Sequence, residues 1–124
     1  MEKEVLENYH NGYNCAQSIL KAYAKENNID EKLILKMATG LGSGMFSKET
    51  CGAVSAAIMI MGLKHTNDDP LDRNNTREVF KRIKQFEKEF KEENSSFNCF
   101  ELKTRYKVDC NNIIRKTACL LQND

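Results

Sequence analysis

The sequence predicts an all-α fold, a compact bundle of about five to six helices around a central apolar helix at residues 51–64. Proline occurs once and glycine six times in 124 residues, too few for the many turns of an all-β sandwich. Apolar residues recur at helical spacing along most of the chain, and no alternating run of five or more residues supports a strand. A chain of this length can form one core without disulfides, so a single domain over residues 1–124 is expected.

The first half of the chain divides into three predicted helices. The first covers residues 2–10, and the second begins at Asn14, a residue type that favours helix starts. Asp30 is expected to cap the third helix. The glycine-rich segment 40–44 then closes this helix and opens a loop.

The second half holds the central helix and three others. The longest apolar stretch, Ala53–Leu63, has 11 residues, and as a helix it spans roughly 16 Å, about half of a bilayer core. We interpret it as a buried helix, since it is apolar nearly all round. Asp69-Pro70 offers a cap and a first-turn residue, so a helix is expected to begin there or slightly later. Over residues 77–93 the pattern is plain, with an apolar stripe opposite a face rich in Lys and Glu. A short helix follows Asn98, and a last helix covers residues 109–121.

The charge balance argues against two classes of partner. Lys and Arg number 19 and Asp and Glu number 18, for a net charge of +1, which is unlike the basic balance of a nucleic-acid-binding protein. The apolar stretch is too short for membrane insertion. Residues 1–7 are rich in charged side chains and lack the apolar region of a signal peptide, so the reducing cytoplasm is the expected location.

Four of the five cysteines share one local setting. Each directly follows a residue that caps helices well, in the pairs Asn14-Cys15, Thr50-Cys51, Asn98-Cys99 and Asp109-Cys110. Each is therefore predicted to be the first residue inside a helix. Cys119 lies within the last helix, has no such setting and is interpreted as a bystander.

A helix N-terminus favours a thiolate, because its free N–H groups carry about half a positive charge. This effect alone would lower the pKa of a thiol by about 0.2–1.5. Four thiolates in one place would repel one another, so such a cluster favours either disulfide pairing or a metal centre that takes up the charge. No CxxC motif occurs, so a joint site must be assembled by the tertiary fold.

Further motifs surround these cysteines. The chain carries Asn14-Cys15-Ala16-Gln17, then Gly40-Leu41-Gly42-Ser43-Gly44-Met45, then Cys51-Gly52-Ala53-Val54-Ser55-Ala56, and later Cys99 and Cys110. In this order they resemble the C_GCAxxG_C_C family, small redox-active proteins marked by four cysteines. Ala56 stands where the family pattern has glycine. The resemblance implies redox activity, and Fe–S or haem association is suggested for some relatives. No CxxCH occurs, so covalent haem attachment is not expected.

The leading hypothesis is a redox-active protein, which could act as a thiol-dependent oxidoreductase. Its four cysteines, Cys15, Cys51, Cys99 and Cys110, would converge on one pocket and cycle between thiol and disulfide. Within the family resemblance, three glycines would let the backbone approach the cysteines and any cofactor: Gly42, Gly44 and Gly52.

Two alternatives stay open. The same four cysteines, Cys15, Cys51, Cys99 and Cys110, could hold an Fe–S cluster or zinc. The protein could also be a helical interaction protein with inert core cysteines, since free cysteine is among the most buried residue types. The expected partner is a redox protein or a small-molecule substrate, and a homodimer is compatible with the sequence.

Overall fold

The computed structural model describes residues 1–124 and contains seven α-helices and no β-strand. In chain order they are α1 (Glu2–His10), α2 (Cys15–Glu26), α3 (Glu31–Ala38), α4 (Gly52–His65), α5 (Arg73–Asn94), α6 (Cys99–Thr104) and α7 (Cys110–Gln122). The all-α prediction is confirmed. The predicted count of five to six helices was too low, since each of the seven segments with a helical pattern forms a separate helix, including the six-residue α6.

The apolar helix α4 packs against α2, α5 and α7. Its buried residues are Gly52, Ala53, Val54, Ala56, Ala57, Ile60 and Met61. Most of these are glycine or alanine, so the neighbouring helices can approach closely. They belong to a core of 21 buried residues to which every α-helix contributes. None of the seven helices combines the length and the apolar character that crossing a membrane requires.

Three phenylalanines tie α5 to the segment that leads into α6. The ring centroids of Phe86, Phe90 and Phe97 lie 5.5–6.1 Å apart, within the range of favourable aromatic pairs. Phe90 is completely buried. Because Phe97 is two residues before Cys99, this aromatic cluster positions the start of α6.

Helix α5 begins at Arg73, slightly after Asp69-Pro70 as expected, and four residues before the predicted apolar pattern starts at residue 77. The carboxylate of Asp72 caps it by accepting a hydrogen bond from the backbone N–H of Asn74 at 2.9 Å. The apolar stripe of α5 starts only later, so hydrophobic periodicity alone could not locate this first turn.

Replacing Asn14 by alanine is expected to lower the free energy of unfolding by about 1–2 kcal/mol. Its side chain accepts a hydrogen bond from the backbone N–H of Gln17 at 2.8 Å and donates one to the carbonyl of Thr39 at 3.2 Å. Urea denaturation followed by circular dichroism measures the change. Asn112→Ala is the matched control, because Asn112 is exposed on α7 and its replacement should change stability by less than about 0.5 kcal/mol. Equal losses in both variants would contradict the capping role.

Candidate functional site

The four cysteines singled out in the sequence, Cys15, Cys51, Cys99 and Cys110, line one cavity of about 150 Å³. The structure has no disulfide, and all of them are free thiols. Further polar groups in the lining come from Tyr9, Asn14, Ser43 and Lys103. Apolar side chains of α6 and α7 complete it. The cavity thus lies where the starts of α2, α4, α6 and α7 meet.

The four cysteines divide into two classes by burial. Cys51 and Cys99 are buried, each 5% exposed. Cys15 and Cys110 are half-buried. Two thiols of the cavity are therefore nearly closed off from solvent, and two are accessible to it.

Three of the four cysteines are the first residues of their helices, as predicted. Asn14 caps α2 in a reciprocal arrangement, since the Gln17 side chain also accepts a hydrogen bond from the backbone N–H of Asn14 at 3.1 Å. Asn98 and Asp109 each accept a hydrogen bond at 2.9 Å from a backbone N–H in the first turn of α6 and α7. These caps place the cysteines at the N-terminal ends that face the cavity.

Cys51 differs from the prediction, because it is the cap of α4 rather than the first residue inside it. Thr50, the expected cap, instead pairs with Asn98 in an isolated antiparallel bridge. On one side of this bridge the backbone N–H of Cys51 donates a hydrogen bond to the carbonyl of Phe97 at 2.8 Å. On the other side the backbone N–H of Cys99 donates one to the carbonyl of Glu49 at 2.5 Å. The bridge therefore joins the two segments that carry the buried cysteines.

Two glycines near the site lie where a side chain would collide with a neighbour. A methyl group on Gly42 would meet the side chain of Asn14 at 2.9 Å, and one on Gly52 would overlap the sulfur of Cys15. The backbone therefore approaches the site closely at both positions. A role of these glycines in cofactor binding stays a prediction.

The turn that leads to α4 has an unusual left-handed conformation. Ser43, Gly44, Met45 and Phe46 all have φ between 51° and 61°, which costs roughly 1–2 kcal/mol for each residue other than glycine. A methyl group on Gly44 would lie 2.8 Å from Cβ of Cys99. This strained turn therefore packs directly against one of the buried cysteines.

At the two buried thiols, burial changes the pKa more than the helix N-terminus does. The pKa of Cys51 is raised from its ordinary value of 9.0 to about 12. Burial is the largest cause, a charge on Cys15 acts in the same direction, and backbone N–H groups of α4 act against both. Burial also raises the pKa of Cys99, against the lowering effect of the Lys103 ammonium. The prediction of a lowered pKa is wrong for these two thiols, because desolvation destabilises the thiolate by more than the helix N-terminus stabilises it.

Two ionisable residues of the cavity lining, Tyr9 and Lys103, were not predicted from the sequence. Tyr9 reaches the cavity because α1 packs against α2 and α7, and no local pattern indicates this. Lys103 lies four residues after Cys99 on α6. Residues at that spacing lie on the same face of a helix, so this pair could have been recognised.

Removing the thiol of Cys110 is expected to lower the pKa of Tyr9. Burial is the largest cause that raises this pKa to about 12, and the charge of Cys110 and a hydrogen bond with it come next. In Cys110→Ala the phenol should titrate at a lower pH, yet above its ordinary 10.0, because burial persists. The ultraviolet absorbance of tyrosinate during alkaline titration measures the change. Cys119→Ala is the control, and an equal shift in both variants would contradict the interaction.

No three His, Cys, Asp or Glu side chains lie close enough together to hold a metal ion. The four cysteines share a cavity, but in this arrangement their sulfurs do not form the ligand set that zinc or an Fe–S cluster requires. The residues therefore do not fit a metal centre as they stand.

Cys119 takes no part in the cavity lining. It lies in the second half of α7, at the end remote from Cys110. Its sulfur is 4.0 Å from the side-chain amide nitrogen of the exposed Asn123. This location makes Cys119 a suitable control position for experiments on the other four thiols.

Comparison with known proteins supports the importance of the cysteine pattern. No curated protein and no solved structure matches the chain. Residues 13–123 match the family described as "Putative redox-active protein (C_GCAxxG_C_C)". The match includes all four cavity cysteines and leaves out only the two ends of the chain. The chain therefore belongs to the C_GCAxxG_C_C family.

Proposed function

We propose that this redox-active protein exchanges thiols and disulfides through its four cavity cysteines, Cys15, Cys51, Cys99 and Cys110. The observation that carries the proposal is that these free thiols come from distant parts of the sequence yet line the same small cavity. A cavity with several thiols allows one thiol to attack a substrate and another to complete the exchange. The family description, which names redox activity, supports this function.

The size of the cavity favours a small reacting group. Its volume of about 150 Å³ is similar to that of cavities that take up a benzene ring. One arm of a disulfide would fill it, whereas a folded peptide would not enter. We therefore infer that the substrate is a low-molecular-weight disulfide or a single exposed disulfide of a partner protein.

In the proposed exchange the substrate disulfide is the only oxidant, and atoms and electrons balance. Two protein thiols lose two protons and two electrons and form one disulfide bond. The substrate disulfide accepts the two electrons, its S–S bond breaks, and its two sulfurs take up two protons. A mixed disulfide between protein and substrate is the intermediate.

Thiol counting tests this function. The reduced protein, prepared without oxygen, is treated with hydroxyethyl disulfide, and its free thiols are counted after denaturation. We expect the five thiols of the chain to fall by two or four, and the Cys119→Ser variant should lose the same number. Five remaining thiols in the wild-type protein would contradict the proposal and favour inert core cysteines. Stoichiometric iron or zinc in the untreated protein would also contradict it and favour a metal centre.

A further inference from the structure

We propose that Cys15 and Cys51 are the exchanging pair, in which Cys15 attacks the substrate and Cys51 resolves the mixed disulfide. This assignment rests on the thiol–disulfide function proposed above and adds the order of the two thiols. It also gives Gly52 a positioning role, because the absence of a side chain at this position leaves room for the sulfur of Cys15 beside Cys51.

The sulfur of Cys15 lies against the backbone next to Cys51. A methyl group on Gly52 would overlap this sulfur and would lie 2.7 Å from the carbonyl oxygen of Leu41. The sulfur thus occupies space that any larger residue at position 52 would fill. Because consecutive Cα atoms are only 3.8 Å apart, a sulfur in contact with Gly52 is also close to the backbone of Cys51.

The packing of the helices supports the same pair. Cys15 is the first residue of α2 and Cys51 is the cap of α4, and these two helices pack against each other. Their N-terminal ends therefore bring both thiols to the cavity from adjacent elements. A charge on Cys15 also acts on the thiol of Cys51 more strongly than a charge on any other cysteine does.

Accessibility assigns the order of the two thiols. The attacking thiol must meet a substrate that arrives from solvent, whereas the resolving thiol needs to meet only the first thiol. Cys15 is half-buried and Cys51 is 5% exposed. Cys15 can therefore be reached first, and Cys51 is protected from substrates until a mixed disulfide has formed beside it.

The other two cysteines are held in different surroundings. The backbone N–H of Cys99 donates to the carbonyl of Glu49, and its Cβ packs against Gly44, so this residue is fixed and closed off from solvent. Cys110 is half-buried, but it interacts with the phenol of Tyr9, whose pKa it raises.

Two steps describe the exchange. The thiol of Cys15 loses its proton to solvent and attacks the substrate disulfide, which forms the mixed disulfide and releases one substrate sulfur that takes up a proton. The thiol of Cys51 then attacks the sulfur of Cys15 and passes its proton to the departing substrate sulfur. The Cys15–Cys51 bond forms, the mixed disulfide breaks, and the second substrate sulfur leaves and is protonated.

Peptide mapping of the full chain tests the pairing directly. Trypsin cleaves after Lys and Arg, so each of the five cysteines falls in a different peptide. The reduced protein is treated with hydroxyethyl disulfide, quenched with acid, alkylated and digested without reductant. Mass spectrometry should find the peptide of residues 4–21 linked to that of residues 49–64. A first disulfide between any other two peptides would overturn the assignment while leaving the proposed function intact, whereas the absence of any disulfide would remove both.

Single replacements test the order of attack. In Cys51→Ser, a mixed disulfide with hydroxyethyl disulfide should accumulate on Cys15 to about one equivalent, because no thiol resolves it. In Cys15→Ser, Cys51 should remain unmodified over the same time. Accumulation on Cys51 in the second variant, at a rate similar to that on Cys15 in the first, would reverse the assigned order. Circular dichroism checks that both variants are folded, and the wild-type mapping decides the pairing without them.

Discussion

Raising the pH from below 9 to above 12 is expected to lower the free energy of unfolding by about 4 kcal/mol through Cys51 alone. Burial holds the pKa of this thiol at about 12, against its ordinary 9.0, which we take for the unfolded chain. Between these values the folded state keeps a proton that the unfolded state releases. The stabilising contribution is therefore complete below pH 9 and is lost as the pH rises to 12, at about 1.4 kcal/mol for each pH unit.

Comparison with Cys51→Ser isolates this effect. Urea denaturation of both proteins at several pH values, under reductant and without oxygen, measures their free energies of unfolding. Tyr9 also has a raised pKa and weakens the fold in the same direction, but both proteins contain it. The stability difference between wild type and variant should shrink steadily from pH 9 to 12. A difference that stays constant over this range would show that the thiol of Cys51 is not desolvated.

Replacing Gly52 by alanine is expected to destabilise the protein by about 1–3 kcal/mol, as overpacking of a tight core does. The new methyl group would collide with the sulfur of Cys15 and with the carbonyl oxygen of Leu41. Since the carbonyl belongs to the backbone, rotation of the cysteine side chain cannot relieve the whole collision. We also expect the Cys15–Cys51 disulfide to form at least about tenfold more slowly, because its geometric requirements are strict.

Gly62→Ala is the matched control on the same helix. Gly62 lies within α4, and a methyl group there would meet nothing within 4 Å. Alanine in a helix interior is better than glycine by roughly 0.5–1 kcal/mol, so this variant should be slightly more stable than wild type and exchange disulfides at the same rate. Equal behaviour of the two variants, in stability and in exchange, would contradict the close approach at Gly52.

The starts of α2, α6 and α7 were predictable because helix capping is a local interaction. Asn14, Asn98 and Asp109 each act on a backbone N–H two or three residues ahead, so the residues concerned stand together in the sequence. The start of α4 was displaced by one residue, because Thr50 pairs with Asn98. That competing contact comes from a distant part of the chain, and no local pattern reveals it.

The same distinction explains the error in the thiol pKa values. The capping residues in the sequence predict where a helix begins, and a helix N-terminus favours the thiolate. Whether a thiol is desolvated depends on which helices cover it, and Cys51 and Cys99 are covered from several sides. Desolvation is the larger effect, so the direction of the pKa could be known only with the packing.

The sequence by itself determined the all-α class, three of the four cysteine positions at helix starts, and the family to which the chain belongs. These follow from apolar periodicity, capping and motif order, which involve neighbouring residues. Only the tertiary structure decided that four distant cysteines line one cavity, that Tyr9 and Lys103 join them, and that two thiols are buried and two accessible. Distances between helices and loss of solvent arise from packing across the whole chain, so no local segment contains that information.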